Sequence, residues 1–127
     1  MTPEIALAAF GLITFATIGF EILFTYATQG FGFGFSAQRP VIERSGFALR
    51  VERIYRNQVE SAAYVVPALG VAALMDLTVG LACLLIVIGR AGFVLTYYTG
   101  IPFIRVPFFA LASFPSLYIF LVAFGIL

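Results

Sequence analysis

The sequence has no lysine, no histidine and one cysteine, and only 10% of its 127 residues are charged. Each scarcity excludes something. Soluble domains carry about 25% charged residues, so this is not an ordinary soluble domain. Seven arginines with no lysine cannot build the broad basic face that a nucleic-acid binder needs. Cys83 stands alone, so no intrachain disulfide forms and the redox compartment is unreadable. With no histidine and one cysteine, a side-chain zinc site lacks its donors. The net charge of +1 says little about partners.

What is present is apolar: 62% of the residues are hydrophobic, in runs long enough to cross a bilayer. An all-α integral membrane protein is expected, one domain over residues 1–127, with four spanning helices at about 3–28, 46–75, 77–98 and 106–126. The first run, from Ile5 to Tyr26, is broken by Glu21. No basic residue precedes Arg39, so it reads as a retained span and not as a signal peptide. The connection "QGFGFGFSAQRPVIERS" (29–45) is rich in Gly, Phe and turn residues and reads as a loop dipping into the interface. Its Gly-Phe alternation does not match a phosphate-binding loop. Asp76 alone separates segments two and three, and "TGIPFIRVP" joins three and four. Arg39, Arg44 and Arg105 lie on one side, Glu4 and Asp76 on the other. The positive-inside rule then makes both termini non-cytoplasmic.

Charge is concentrated in "RVERIYRNQVE" (50–60), which leads straight into an uncharged run. That run, 61–75, covers roughly 22 Å as a helix, less than the ~30 Å hydrocarbon core. The charged turns before it must therefore enter the membrane. Counting from the Asp76 turn, Glu60 and Arg90 come to similar depth, and Arg53 and Asn57 to the level of Tyr97. Arg53, Asn57, Glu60 and Tyr64 are spaced i, i+4, i+7 and i+11, one helical stripe. Ionisable residues at depth normally face a bundle interior or a wet cavity. A polar pocket in the cytoplasmic half follows, lined mainly by the second and third helices.

Two readings of the pocket stand. In one, Glu60 and Arg90 form an ion pair that fixes packing. In the other, the stripe binds a charged, peptide-like molecule: Arg forks onto carboxylates, Glu accepts from an ammonium group, and Asn does both. Arg105 reads as an interface anchor or as a cation for an anion in the pocket. Glu21 is expected to pair with an arginine, Arg56 with Glu60 at i, i+4, and Cys83 to fill the core.

"RVERIYRNQVES", with its R-x-x-x-N-x-x-E core at Arg53, Asn57 and Glu60, resembles the second helix of the MAPEG superfamily of membrane-associated proteins in eicosanoid and glutathione metabolism. "GRAGFVLTYYTGIPFIRVPFFALASFP" (89–115) is similar to the third-helix end and fourth-helix start of the prostaglandin E synthase and microsomal glutathione transferase branch. The likeness covers about 46–124. It implies a four-helix protomer, a homotrimer, and glutathione bound at subunit interfaces on the cytoplasmic side. Carried over, Arg53, Asn57, Glu60, Arg90 and Tyr97 bind glutathione, with Tyr64 beside them. Arg105 favours its thiolate, which attacks a lipophilic electrophile from the bilayer. A nearby cation lowers a thiol pKa from ~8.5, and no metal is needed. Phe93 stands where the prostaglandin branch has His, Val106 where it has Ser, and Ser61 where the leukotriene branch has Tyr. These departures leave general transferase or peroxidase activity, or a non-catalytic member. A small multidrug transporter, using Glu21, is the rival of another class. The membrane is that of a bacterial cell or the endoplasmic reticulum.

Overall fold

The computed structural model describes residues 1–36 and 42–127, and Arg39 lies outside them. The described chain is helical: α1 (Pro3–Gln29), α2 (Phe31–Phe35), α3 (Gly46–Leu74), α4 (Gly80–Thr99) and α5 (Arg105–Ala123). Three of these, α1, α4 and α5, are long and apolar enough to cross a membrane. The chain is an integral membrane protein. α3 has 29 residues but fails as an apolar span because five charges crowd its first half.

Local chemistry sets the ends. The Thr2 hydroxyl accepts from the Ile5 N–H (3.3 Å) and Pro3 opens α1, a fixed φ where no N–H is needed. Gly30, at φ 84°, ends it. The expected loop then makes one turn of helix instead. Phe31 and Phe35, four apart, both pack on Tyr26, with ring centroids 5.6 and 5.7 Å away. This i, i+4 aromatic contact favours helix over an open loop.

The turn after α3 corrects a second expectation. Asp76 adopts φ 52° and its N–H donates to Ala73, while the Leu77 N–H donates to Ala72. This is a Schellman exit with aspartate in the usual glycine place. It consumes the next residues, so α4 starts at Gly80 and not at Leu77.

α3 and α4 pack on each other, and each packs on both α1 and α5, whereas α1 and α5 do not meet. α4 and α5 approach each other closely at Gly89. A Cβ on Gly89 would stand 2.7 Å from the Phe108 carbonyl oxygen and 2.8 Å from the Ala112 nitrogen. Only glycine permits that backbone contact. Small residues at helix crossings replace the hydrophobic drive that lipid removes. The core gathers Phe10 from α1, Val65 and Leu69 from α3, Ile86 from α4 and Ile119 from α5. Cys83 is fully buried among them, the filler role expected of it.

Candidate functional site

The polar residues of α3 divide between two faces. Its buried face reads Val51, Ile54, Gln58, Ser61, Val65, Ala68 and Ala72, spaced three and four apart. Gln58 sits in the middle of it, wholly buried. The expected stripe lies to one side of that face. Arg53 and Glu60 are exposed, Asn57 and Tyr64 half-buried. Within one protomer the stripe does not point into the bundle.

Arg90 points inward from α4 and is fully buried. Its Nε and Nη2 both donate to Gln58 Oε1, at 3.0 and 2.8 Å. Nη2 also donates to Asn57 Oδ1 at 2.8 Å. Gln58 Nε2 donates in turn to Thr14 Oγ1 (2.9 Å), and Thr14 to the Phe10 carbonyl (2.9 Å). A polar line therefore crosses α4, α3 and α1 through the apolar core. No carboxylate takes part. The expected Glu60–Arg90 pairing is absent among the described residues: Arg90 meets α3 two to three residues earlier, on the adjacent face. The buried cation is held by amide oxygens and by the Phe93 ring, 4.7 Å from its guanidinium carbon. Its Nη1 is buried without a hydrogen-bond partner among the described residues.

From Phe93 the contacts continue outward. Its ring meets Tyr97 edge-on at 5.5 Å, and the Arg105 guanidinium lies over Tyr97 at 4.5 Å. Asn57, Arg90, Tyr97 and Arg105 thus belong to one contiguous chain, with Phe93 at its middle. Arg105 opens α5, whose first turn has no side-chain cap. The Val106 N–H is taken by the Phe103 carbonyl and Pro107 has none, so it is the helix dipole that adds positive potential there. Tyr64 stands apart, 3.1 Å from Ser113 of α5.

Four other charges pair near the start of α3. Arg44 reaches Glu21 (3.3 Å) and Glu52 (3.5 Å), and Arg56 reaches Glu52 (2.7 Å). Glu21 does pair with an arginine, as expected. Arg56 pairs with Glu52, one turn back, and not with Glu60. Among the described residues, no three His, Cys, Asp or Glu side chains gather in a way that could hold a metal.

The Arg53–Asn57–Glu60–Tyr64 stripe gives no sign of Gln58, which lies on the next face of the helix. The signal that finds it is phase: it stands four residues from Ile54, three from Ser61 and seven from Val65, in a stripe that is otherwise apolar but for Ser61.

No curated protein and no solved structure matches the chain. The sequence model of one family does, over residues 6–125, nearly the whole length and including both polar faces of α3 and the Arg90-to-Arg105 chain. The protein belongs to the MAPEG family.

Proposed function

We propose that the protein is a membrane-embedded glutathione transferase or peroxidase acting on lipophilic electrophiles, working as a homotrimer of single-domain, four-span protomers. The observation that carries this reading is the exposed Arg53–Asn57–Glu60 stripe on a helix of an oily protein. Charges at membrane depth require a polar partner or a wet cavity, and a single protomer supplies neither. A neighbouring copy would close the stripe into an interfacial pocket. The family includes glutathione transferases and non-catalytic members, so membership alone does not assign the reaction.

The donor set fits the tripeptide. Arg53 can fork onto a carboxylate, and Glu60 can accept from the ammonium group. Asn57 has its oxygen engaged by Arg90, which leaves its amide N–H groups to donate outward. Arg90, enclosed as it is, acts as a positioning residue through Asn57. Tyr97 offers a hydroxyl near them, whereas that of Tyr64 is engaged with Ser113. Bound glutathione would supply a thiol, whose sulfur would bond to an electrophilic carbon as that carbon's bond to its leaving group, or its π bond, breaks and takes the electron pair. Arg105 and the helix dipole at the start of α5 favour the thiolate over the thiol. The sulfur proton passes to solvent. By the arginine distribution both termini are non-cytoplasmic, and the site opens to the cytoplasm.

Millimolar glutathione is expected to raise the melting temperature of the detergent-purified protein, since a ligand that binds the native state stabilises it. Arg53→Ala and Glu60→Ala should each remove the shift. Conjugation of a chromogenic electrophile, lost with Arg105→Ala, separates an enzyme from a binder. A protein indifferent to glutathione and to its thioethers sinks the proposal.

A further inference from the structure

Arg90 has no carboxylate among its hydrogen-bond partners in the described residues, so neutral amides must aim it. A guanidinium only donates. Gln58 and Asn57 therefore both turn their oxygens to it, Gln58 at 3.0 and 2.8 Å and Asn57 at 2.8 Å. An amide that turns its oxygen one way turns its NH2 group the other. For Gln58 the other way is α1, where Nε2 donates to Thr14 Oγ1 at 2.9 Å. Thr14 has one hydroxyl proton, and it goes to the Phe10 carbonyl at 2.9 Å. The hydroxyl thus meets Gln58 as an acceptor. From Phe10 to Asn57, each group's donors and acceptors can be assigned in one way only.

Removing one end of the line disturbs the other. Gln58 is wholly buried, so without Thr14 its Nε2 is left unpaired, and that cost favours turning the amide. A turned amide presents hydrogens to Arg90, donor against donor, and the guanidinium must shift. Asn57 shifts with it, through the 2.8 Å bond from Nη2. Asn57 is half-buried and stands between the exposed Arg53 and Glu60 on the stripe. With its oxygen committed inward, its amide hydrogens are what it has left for a ligand.

We propose that Thr14 is a positioning residue for the ligand site: through Gln58 and Arg90 it fixes the Asn57 amide with its hydrogens outward, so the ligand group that meets Asn57 is an acceptor oxygen, of a carboxylate or a peptide carbonyl. α1, which contributes no residue to the stripe, thereby enters the site. The proposal rests on the glutathione reading for the identity of the ligand, and on the hydrogen bonds alone for the setting of Asn57.

Asn57 is the only asparagine in the sequence, so the full chain labelled with nitrogen-15 asparagine gives a single side-chain amide pair by NMR. In detergent, glutathione is expected to shift that pair in the wild-type protein. Thr14→Val, which keeps the shape and removes the hydroxyl, should displace the pair before any ligand is added. It should also weaken glutathione binding about fivefold, which is what one hydrogen bond contributes. Thr14→Ser, which brings the hydroxyl back, should restore both. Ile119→Val, a core truncation on α5 outside the polar line, should lower the melting temperature and change neither. A Thr14→Val protein that binds glutathione as the wild type does, or whose Asn57 pair is unmoved, overturns the proposal. So does an equal loss of affinity in Ile119→Val, which would make the effect one of stability alone. If the wild-type pair ignores glutathione, the glutathione reading fails; displacement of the pair by Thr14→Val then still supports the setting of Asn57, and an unmoved pair overturns it. Should Thr14→Val not fold, Thr14→Ala removes the same hydroxyl and gives the same readings.

Discussion

α3 carries two polar faces about 100° apart, and they meet opposite fates. Gln58 is sealed in the core, where it holds the guanidinium of Arg90. Arg53 and Glu60, on the neighbouring stripe, are exposed and have no partner among the described residues. The inner face resembles a structural network. Its bonds from Arg90 to Gln58 and Asn57 and from Gln58 to Thr14 run between helices, and losing the acceptors of Arg90 leaves a buried charge. The outer face resembles a binding surface, chemically rich and structurally idle. Formal charge is a poor guide to which is which. The neutral amide does the structural work, and the charged pair waits for a partner. Asn57 links the two faces by giving its oxygen inward.

This contrast breaks most visibly at Gln58. Gln58→Leu leaves Arg90 enclosed with a single acceptor, and a loss of about 3 kcal/mol is expected, read from melting in detergent. The double variant Gln58→Leu with Arg90→Leu should recover much of that loss, because an apolar pair can replace a buried polar one. A double variant less stable than either single would show that the network is not the unit described. Next in size is Gly89→Ala. A methyl group there meets backbone on α5, and pushing the helices apart should cost about 2 kcal/mol.

The ion pairs near the start of α3 give a smaller effect. Glu21→Gln removes a pair whose members are 14% and 16% exposed, and about 1 kcal/mol is expected. The difference should shrink in high salt. Smallest of all in stability are Arg53→Ala and Glu60→Ala, each within about 0.5 kcal/mol of wild type, yet both should abolish stabilisation by glutathione. If they destabilise as much as Gln58→Leu does, the two faces are not distinct.

Much of the fold was legible in the chain. Pro3 and Gly30 bracket α1, Gly100 at φ 75° ends α4, and hydropathy locates three spans. The short helix at Phe31 was not legible, because its stability comes from stacking on Tyr26 of the preceding helix. The start of α4 was missed by three residues, since Asp76 takes a left-handed turn that pattern reading reserves for glycine or asparagine. Of the candidate site, spacing shows that Arg53, Asn57, Glu60 and Tyr64 share a stripe, and resemblance alone singles out Arg90, Tyr97 and Arg105. Gln58 and the bridging place of Phe93 were not legible.

By itself the sequence determined that this is a helical membrane chain, where most helices end, and which polar residues share a stripe. Helical period relates the faces of one helix to each other with no reference to neighbours. Only the tertiary structure decided which face of α3 turns inward, and hence that Arg90 meets Gln58 and Asn57 while Glu60 stays outside. The reason is distance. A buried guanidinium is tolerable only where acceptors stand within about 3 Å of its N–H groups, and that separation is set by how α3 and α4 pack.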